Sequence, residues 1–289
     1  MTVAAPPGTF DRHTAVEDDW IGRWRAHIEE GLSGIGGGAH GGYLAAIALR
    51  AMAKAAGDPT RRVRSLGIQL LSRVEPGTVE LAPRIERAGS SISAVSLRIE
   101  QHGQAAGHAR ALFGAPSPAL GYSGAAMPDV PPPERCRPLF DKPASEAGVG
   151  LLVEHRPAAA PLPFDGHRHA EIIVWMRLVE DRPLDALATA VLADAAPPAL
   201  FAHLTSFVAM PSIQIDLHFA DPIALDCGPW VLGALRTIYA GEGYAIEDGE
   251  LWTPTGRLVL QARQVRRIRT TVRSKKVSNP WSLQTNGLT

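Results

Sequence analysis

Residues 44–56 read Leu-Ala-Ala-Ile-Ala-Leu-Arg-Ala-Met-Ala-Lys-Ala-Ala. These are strong helix formers, and Gly57 behind them is a helix stop. Only Arg50 and Lys54 are polar, so the helix has almost no polar face and must be covered on most sides. A short helix of that kind calls for a sheet wrapped around it. Gly41-Gly42-Tyr43 leads into the helix, and four strand-like runs follow, at 63–71, 79–86, 92–100 and 105–113. Gln101-His102-Gly103-Gln104 reads as the hairpin turn between the last two.

The order then repeats. Residues 184–193, LDALATAVLA, form a second helix apolar almost all round, disrupted soon after by Pro197-Pro198. Strand-like runs follow at 212–219, 230–239, 244–252 and 257–268, the last two joined by Thr253-Pro254-Thr255-Gly256. GQAAGHARA from Gly103 superposes on GRLVLQARQ from Gly256, and Gln69 falls on His218 in a slightly different register. One helix followed by antiparallel strands, twice over, is an α+β architecture. Two such units could pair their edge strands into one larger sheet. The expected organisation is a first domain at 1–115, a proline-rich extended linker at 116–164, a second domain at 165–273 and a loose tail at 274–289.

Bulk properties narrow the partners. The 289 residues carry 29 basic and 29 acidic side chains, so a nucleic-acid partner is not expected. The basic run Arg263, Arg266, Arg267, Arg269, Arg273, Lys275, Lys276 reads as the solvated face of a strand running into the tail, or as a clamp for an anionic ligand such as CoA phosphates. Cys136 and Cys227 are far apart and make no disulfide framework. The N-terminus lacks the order of a signal peptide, and no apolar run approaches a membrane span. A cytoplasmic protein that neither spans nor binds membrane is expected.

Chemistry is expected where the halves differ. Asp194 places a carboxylate inside the apolar run VLADAAPPAL, where burial is costly without hydrogen bonds. The alignment sets it against Gly41. Gln264 continues the inward row Leu258, Leu260, Ala262, and its counterpart is Ala111. Either residue could instead be a satisfied structural group. Ser212 opens the strand SIQIDLHF, where strict alternation places it on the outer face with Gln214, Asp216 and His218. A bulge beside Pro211 would turn it inward. Gly36-Gly37-Gly38 and Gly41-Gly42 form a loop entering the helix and lack a nucleotide-binding spacing. His40 has no serine or cysteine nucleophile beside it and reads as a loop residue near a pocket mouth. Asp165, His167 and His169 lack zinc spacing and read as a solvated turn, so no metal is expected.

With GGGAHGGYLAAIALRA, IQLLSRVEPGTVEL, VLADAAPPAL, IQIDLHFADP and EDGELWTPTGRLVLQARQ in sequence order, the chain resembles the TesB-like (type II) acyl-CoA thioesterases. The resemblance implies two fused hot-dog domains, each an antiparallel sheet wrapped around a central apolar helix. It implies hydrolysis of acyl-CoA or acyl-carrier thioesters, without a cofactor, by water held by Asp194, Ser212 and Gln264. Backbone donors at Gly41, Gly42 and Tyr43 would face the oxyanion and the substrate. Further assembly into a homo-oligomer is compatible with it. A non-catalytic acyl-thioester binding protein and an enoyl-thioester hydratase or dehydratase are the competing readings.

Overall fold

The computed structural model describes residues 8–19, 23–34, 37–118, 120–139, 152–220 and 227–269. The expected tail, with Arg273, Lys275 and Lys276, lies outside them. The first half contains α1 (Thr9–His13), β1 (Glu17–Asp19), β2 (Arg23–Ile28), α2 (Gly41–Ala56), β3 (Arg62–Leu70), β4 (Gly77–Ala88), β5 (Ile92–Gln101) and β6 (Gln104–Gly114). The second contains β7 (Val153–Pro157), β8 (Glu171–Leu178), α3 (Ala186–Ala195), β9 (Ser212–Phe219), β10 (Val231–Gly241), β11 (Tyr244–Trp252) and β12 (Leu258–Arg267). These strands form one antiparallel sheet in the order β1-β2-β4-β5-β6-β3-β9-β12-β11-β10-β8-β7. That order reads the same from either edge once the halves are matched strand for strand. The halves join at the centre, where β3 pairs β9 with Leu66 opposite Leu217.

Local chemistry explains the elements. Gly57 ends α2 in the left-handed conformation (φ 69°), its N–H returning to Ala53 O. Asp185 caps α3 by accepting the Ala188 N–H. His102 and Gly103 both take positive φ in the β5–β6 turn, the geometry that matches strand twist in a two-residue hairpin. Both helices lie against the same face of the sheet, and residues 41–49 of α2 and 188–195 of α3 are all buried.

The two helices run antiparallel, so the start of α2 meets the end of α3. They meet closely. A Cβ on Gly42 would lie 2.9 Å from Val191 O and 3.0 Å from Ala190 O, and one on Gly41 would lie 2.8 Å from Asp194 Oδ2. Glycine is required here by close approach of a second backbone. Gly42→Ala should therefore force the helices apart and cost about 1–3 kcal/mol of stability in a denaturant titration.

The structure confirms the registers read from the sequence. Ile68 faces Ala109 in the first half as Leu217 faces Ala262 in the second, so Ala111 corresponds to Gln264. It departs from the expected linker. Residues 153–157 form edge strand β7. Ala125, Met127, Val130 and Cys136 pack on Trp175, Leu232 and Trp252, and Trp175 Nε1 donates to Pro131 O at 2.9 Å. The prolines hold this segment extended, and its apolar residues make it a strap over the sheet. Among the described residues no helix is long and apolar enough to cross a membrane.

Candidate active site

The end of α3 is buried, so its terminal carbonyls need donors. Three side chains supply them. Gln264 Nε2 donates to Ala193 O at 3.1 Å, His40 Nε2 meets Asp194 O at 2.9 Å, and His155 Nε2 meets Ala195 O at 2.9 Å. His40 is therefore not a residue of a pocket mouth. It is buried beside Asp194, with Nε2 also 3.3 Å from Oδ2 and Nδ1 without a protein partner. Burial pushes the His155 imidazole down to about 4, against the pull of the carbonyls it meets. Between that value and its ordinary one near 6.5 the unfolded chain binds a proton that the folded chain refuses. This contribution to stability is thus present above pH 6.5 and lost as the pH falls toward 4. It is worth about 3 kcal/mol. Urea titrations across that window should show a shallower acid loss in His155→Gln than in the wild type.

Asp194 sits where these elements converge, its side chain 4% exposed. Oδ2 accepts the Gly42 N–H at 2.9 Å and Oδ1 accepts from Ser212 Oγ at 3.0 Å. A carboxylate at a helix C-terminus faces the negative end of that dipole. The antiparallel packing compensates by pointing the N-terminus of α2 at the same carboxylate. Gly41 and Asp194 are thus neighbours across the helix pair, whereas the sequence alignment had set them as equivalents.

Ser212 also lies 2.7 Å from Gln264 Oε1, so its one proton can go to either Asp194 or Gln264. Strict alternation would have placed it outside. A bulge at Ile213 sets Gln214 opposite Val265 but Ser212 opposite Arg266, and this turns Ser212 inward. The first half carries the same bulge at Arg64, with Val63 opposite Phe113. Ser212 is half-buried and is the member of the cluster that reaches the surface.

Two further residues complete the cluster: Arg266, which the sequence reading placed in the basic run, and Glu247, which it passed over. Arg266 donates to Ser212 Oγ at 2.9 Å and to Glu247 Oε1 from Nε at 2.9 Å and Nη2 at 2.7 Å, and Nη2 lies 3.7 Å from Asp194 Oδ1. Burial alone would push this guanidinium down, but Glu247 and Asp194 hold it above its ordinary value. Arg266 is therefore neither a solvated strand residue nor a surface clamp. Arg263 of the same run is exposed and paired with Asp248, and Arg267 stacks over Tyr244. The four matching strand positions in the first half are apolar, with Val63 for Ser212, Val95 for Glu247, Ala111 for Gln264 and Phe113 for Arg266.

At the start of α2, the Gly42 N–H is taken by Asp194, while those of Gly41 and Tyr43 have no acceptor among the described residues. The Tyr43 hydroxyl turns away to His13 O, and burial raises its pKa. Asp165 uses its carboxylate on the Leu162 N–H within an exposed turn that also holds His167 and His169.

One sheet folded over an antiparallel helix pair, with the buried Asp194 cluster at one of its two equivalent helix junctions, defines a double hot-dog protein. Residues 28–114 match the family model of the acyl-CoA thioesterase N-terminal domain, and residues 133–268 match that of the C-terminal domain. The chain belongs to the acyl-CoA thioesterase family, whose reaction is hydrolysis of acyl-CoA thioesters. A hot-dog-fold protein from Alicyclobacillus acidocaldarius superposes with a TM-score of 0.83 at 25% identity, over 92% of this chain and 100% of that one. Acyl-CoA thioesterase II TesB2 from Mycobacterium marinum gives 0.72 at 21% identity, over 90% of this chain and 98% of the other. The TesB protein of Mycobacterium avium subspecies paratuberculosis gives 0.72 at 18% identity, again over 90% and 98%. A comparison with curated proteins finds no match.

Proposed function

We propose that Asp194, Ser212 and Gln264 hold the water that hydrolyses the acyl-CoA thioester. The supporting observation is their convergence, with Ser212 Oγ 3.0 Å from Asp194 Oδ1 and 2.7 Å from Gln264 Oε1. A water against Asp194 Oδ1 and the Gln264 amide would be aimed by two fixed groups. Asp194 takes a proton from it as the water oxygen attacks the thioester carbonyl carbon. The oxyanion is met by N–H groups in the first turn of α2, with the dipole of that helix behind them. Gly41 and Tyr43 are the candidates, because the Gly42 N–H orients Asp194 instead. The C–S bond then breaks, and the proton on Asp194 passes to the departing CoA sulfur. Water and acyl-CoA thus yield a free acid and CoA. Arg266 positions Ser212 through its hydroxyl and is itself held by Glu247.

Thiol release checks the roles separately. Ser212→Ala and Gln264→Ala should each lower kcat by about a hundredfold with little change in KM, because they misplace the water rather than the substrate. Ser212→Thr keeps the hydroxyl and should retain activity. Wild-type kcat in Ser212→Ala would remove Ser212 from the mechanism.

A further inference from the structure

The pseudo-twofold gives the polar cluster a geometric mate at the other end of the helix pair, where the end of α2 meets the start of α3. There the structure holds a cavity of about 430 Å³. Its wall includes Leu49, Ala53, Val63, Phe113, Leu187 and Phe219. Val63 and Phe113 are the residues that stand where Ser212 and Arg266 stand at the catalytic end. The cavity falls within the ~300–1,000 Å³ typical of small-molecule pockets. It lacks a free carboxylate, because Asp185 is spent on capping α3 and on Arg182.

The rim is cationic. Arg50 and Arg61 are neutralised by Asp11 and Asp58. Lys54 Nζ reaches the Val16 main-chain oxygen at 3.0 Å, lies 5.8 Å from the centre of the Trp24 ring, and meets no carboxylate among the described residues. Arg62 is exposed at the mouth and likewise meets no carboxylate among the described residues. An apolar interior under two cations that meet no carboxylate among the described residues suits an amphiphile with one anionic head.

We propose that this second junction is a binding site for a fatty carboxylate, its chain in the cavity and its head at Arg62 and Lys54. The site retains its ligand unchanged, having no group to activate water. Its occupant touches both α2 and α3, the helices whose opposite ends build the catalytic cluster. The proposal does not depend on which residue activates water beside Asp194.

Equilibrium dialysis of radiolabelled dodecanoate against the full chain tests it. Arg62→Glu should weaken binding about tenfold or more, the scale of one lost charged contact. Ala53→Trp, at an exposed position on the rim, should block the cavity and weaken binding comparably. Arg62→Lys should bind like the wild type, which separates loss of charge from loss of fold. Asp194→Asn, at the far end of the helix pair, should also bind like the wild type. Unchanged affinity in both Arg62→Glu and Ala53→Trp, or loss of binding in Asp194→Asn, would overturn the assignment.

Discussion

Asp194→Asn should lower acyl-CoA turnover by about 10²–10⁴-fold, the usual contribution of a positioned base, while the protein stays folded and still binds acyl-CoA. Asparagine keeps an oxygen to accept the Gly42 N–H, so the junction between the helices survives. Its amide nitrogen then faces Ser212 and cannot take a proton from water. Arg266 loses the weaker of its two carboxylates, the one at 3.7 Å, and keeps Glu247 at 2.7 Å. Thiol release and calorimetric binding of dodecanoyl-CoA to the variant separate the two effects. Lost turnover with retained affinity is the expected pattern. Turnover close to wild type would remove Asp194 from the mechanism.

The largest effect on stability should come from Glu247. Glu247 and Arg266 are both almost fully buried, and removing one member of such a pair strands the other charge. Glu247→Val should therefore cost about 3–5 kcal/mol. It also strips the Ala199 N–H of its acceptor. The first half shows how the same positions are filled without charge, by Val95 and Phe113. The double variant Glu247→Val/Arg266→Phe copies that pairing, and most of the lost stability should return, because a buried ion pair can give way to packed apolar side chains at little cost. Activity should not return with it, since Ser212 would lose the guanidinium that holds its oxygen. Denaturant titrations of the single and double variants check the first point and thiol release the second. Equal destabilisation of both variants would show that the pair is not a self-contained unit.

The buried helices, the eight strands that follow them and their registers were legible because each rests on local signals. LAAIALRAMAKAA admits no solvent face, and the turns at His102-Gly103 and Thr253–Gly256 fix which strands are hairpins. Strand β1 was missed because it is a three-residue edge element, and β7 because it is an edge strand set in proline-rich sequence; β2, one place in from the edge, lies ahead of the helix from which the reading began. Asp194 and Gln264 stood out as polar residues in apolar rows. Ser212 did not, because the period of two breaks at the bulge. The break was nevertheless written twice, since apolar residues fall at 63, 66 and 68 in the first half where Ser212, Ile215 and Leu217 fall in the second. Arg266 lies one step beyond Gln264 in the same inward row, and Glu247 continues the row of Ala245 and Leu251. A neighbouring run of exposed arginines hid the first. The partner that makes Glu247 tolerable in the core lies on another strand and is invisible to periodicity. His40 could be placed only once the end of α3 was seen to need donors.

The most direct test of water activation at Asp194 is a single turnover of dodecanoyl-CoA by excess enzyme in ¹⁸O-water. Stoichiometric CoA release with one solvent oxygen in the dodecanoate is the expected result. Unlabelled dodecanoate in that first turnover would mean that a protein oxygen attacks the thioester, and bound dodecanoyl-CoA without CoA release would mean that the cluster does not hydrolyse it.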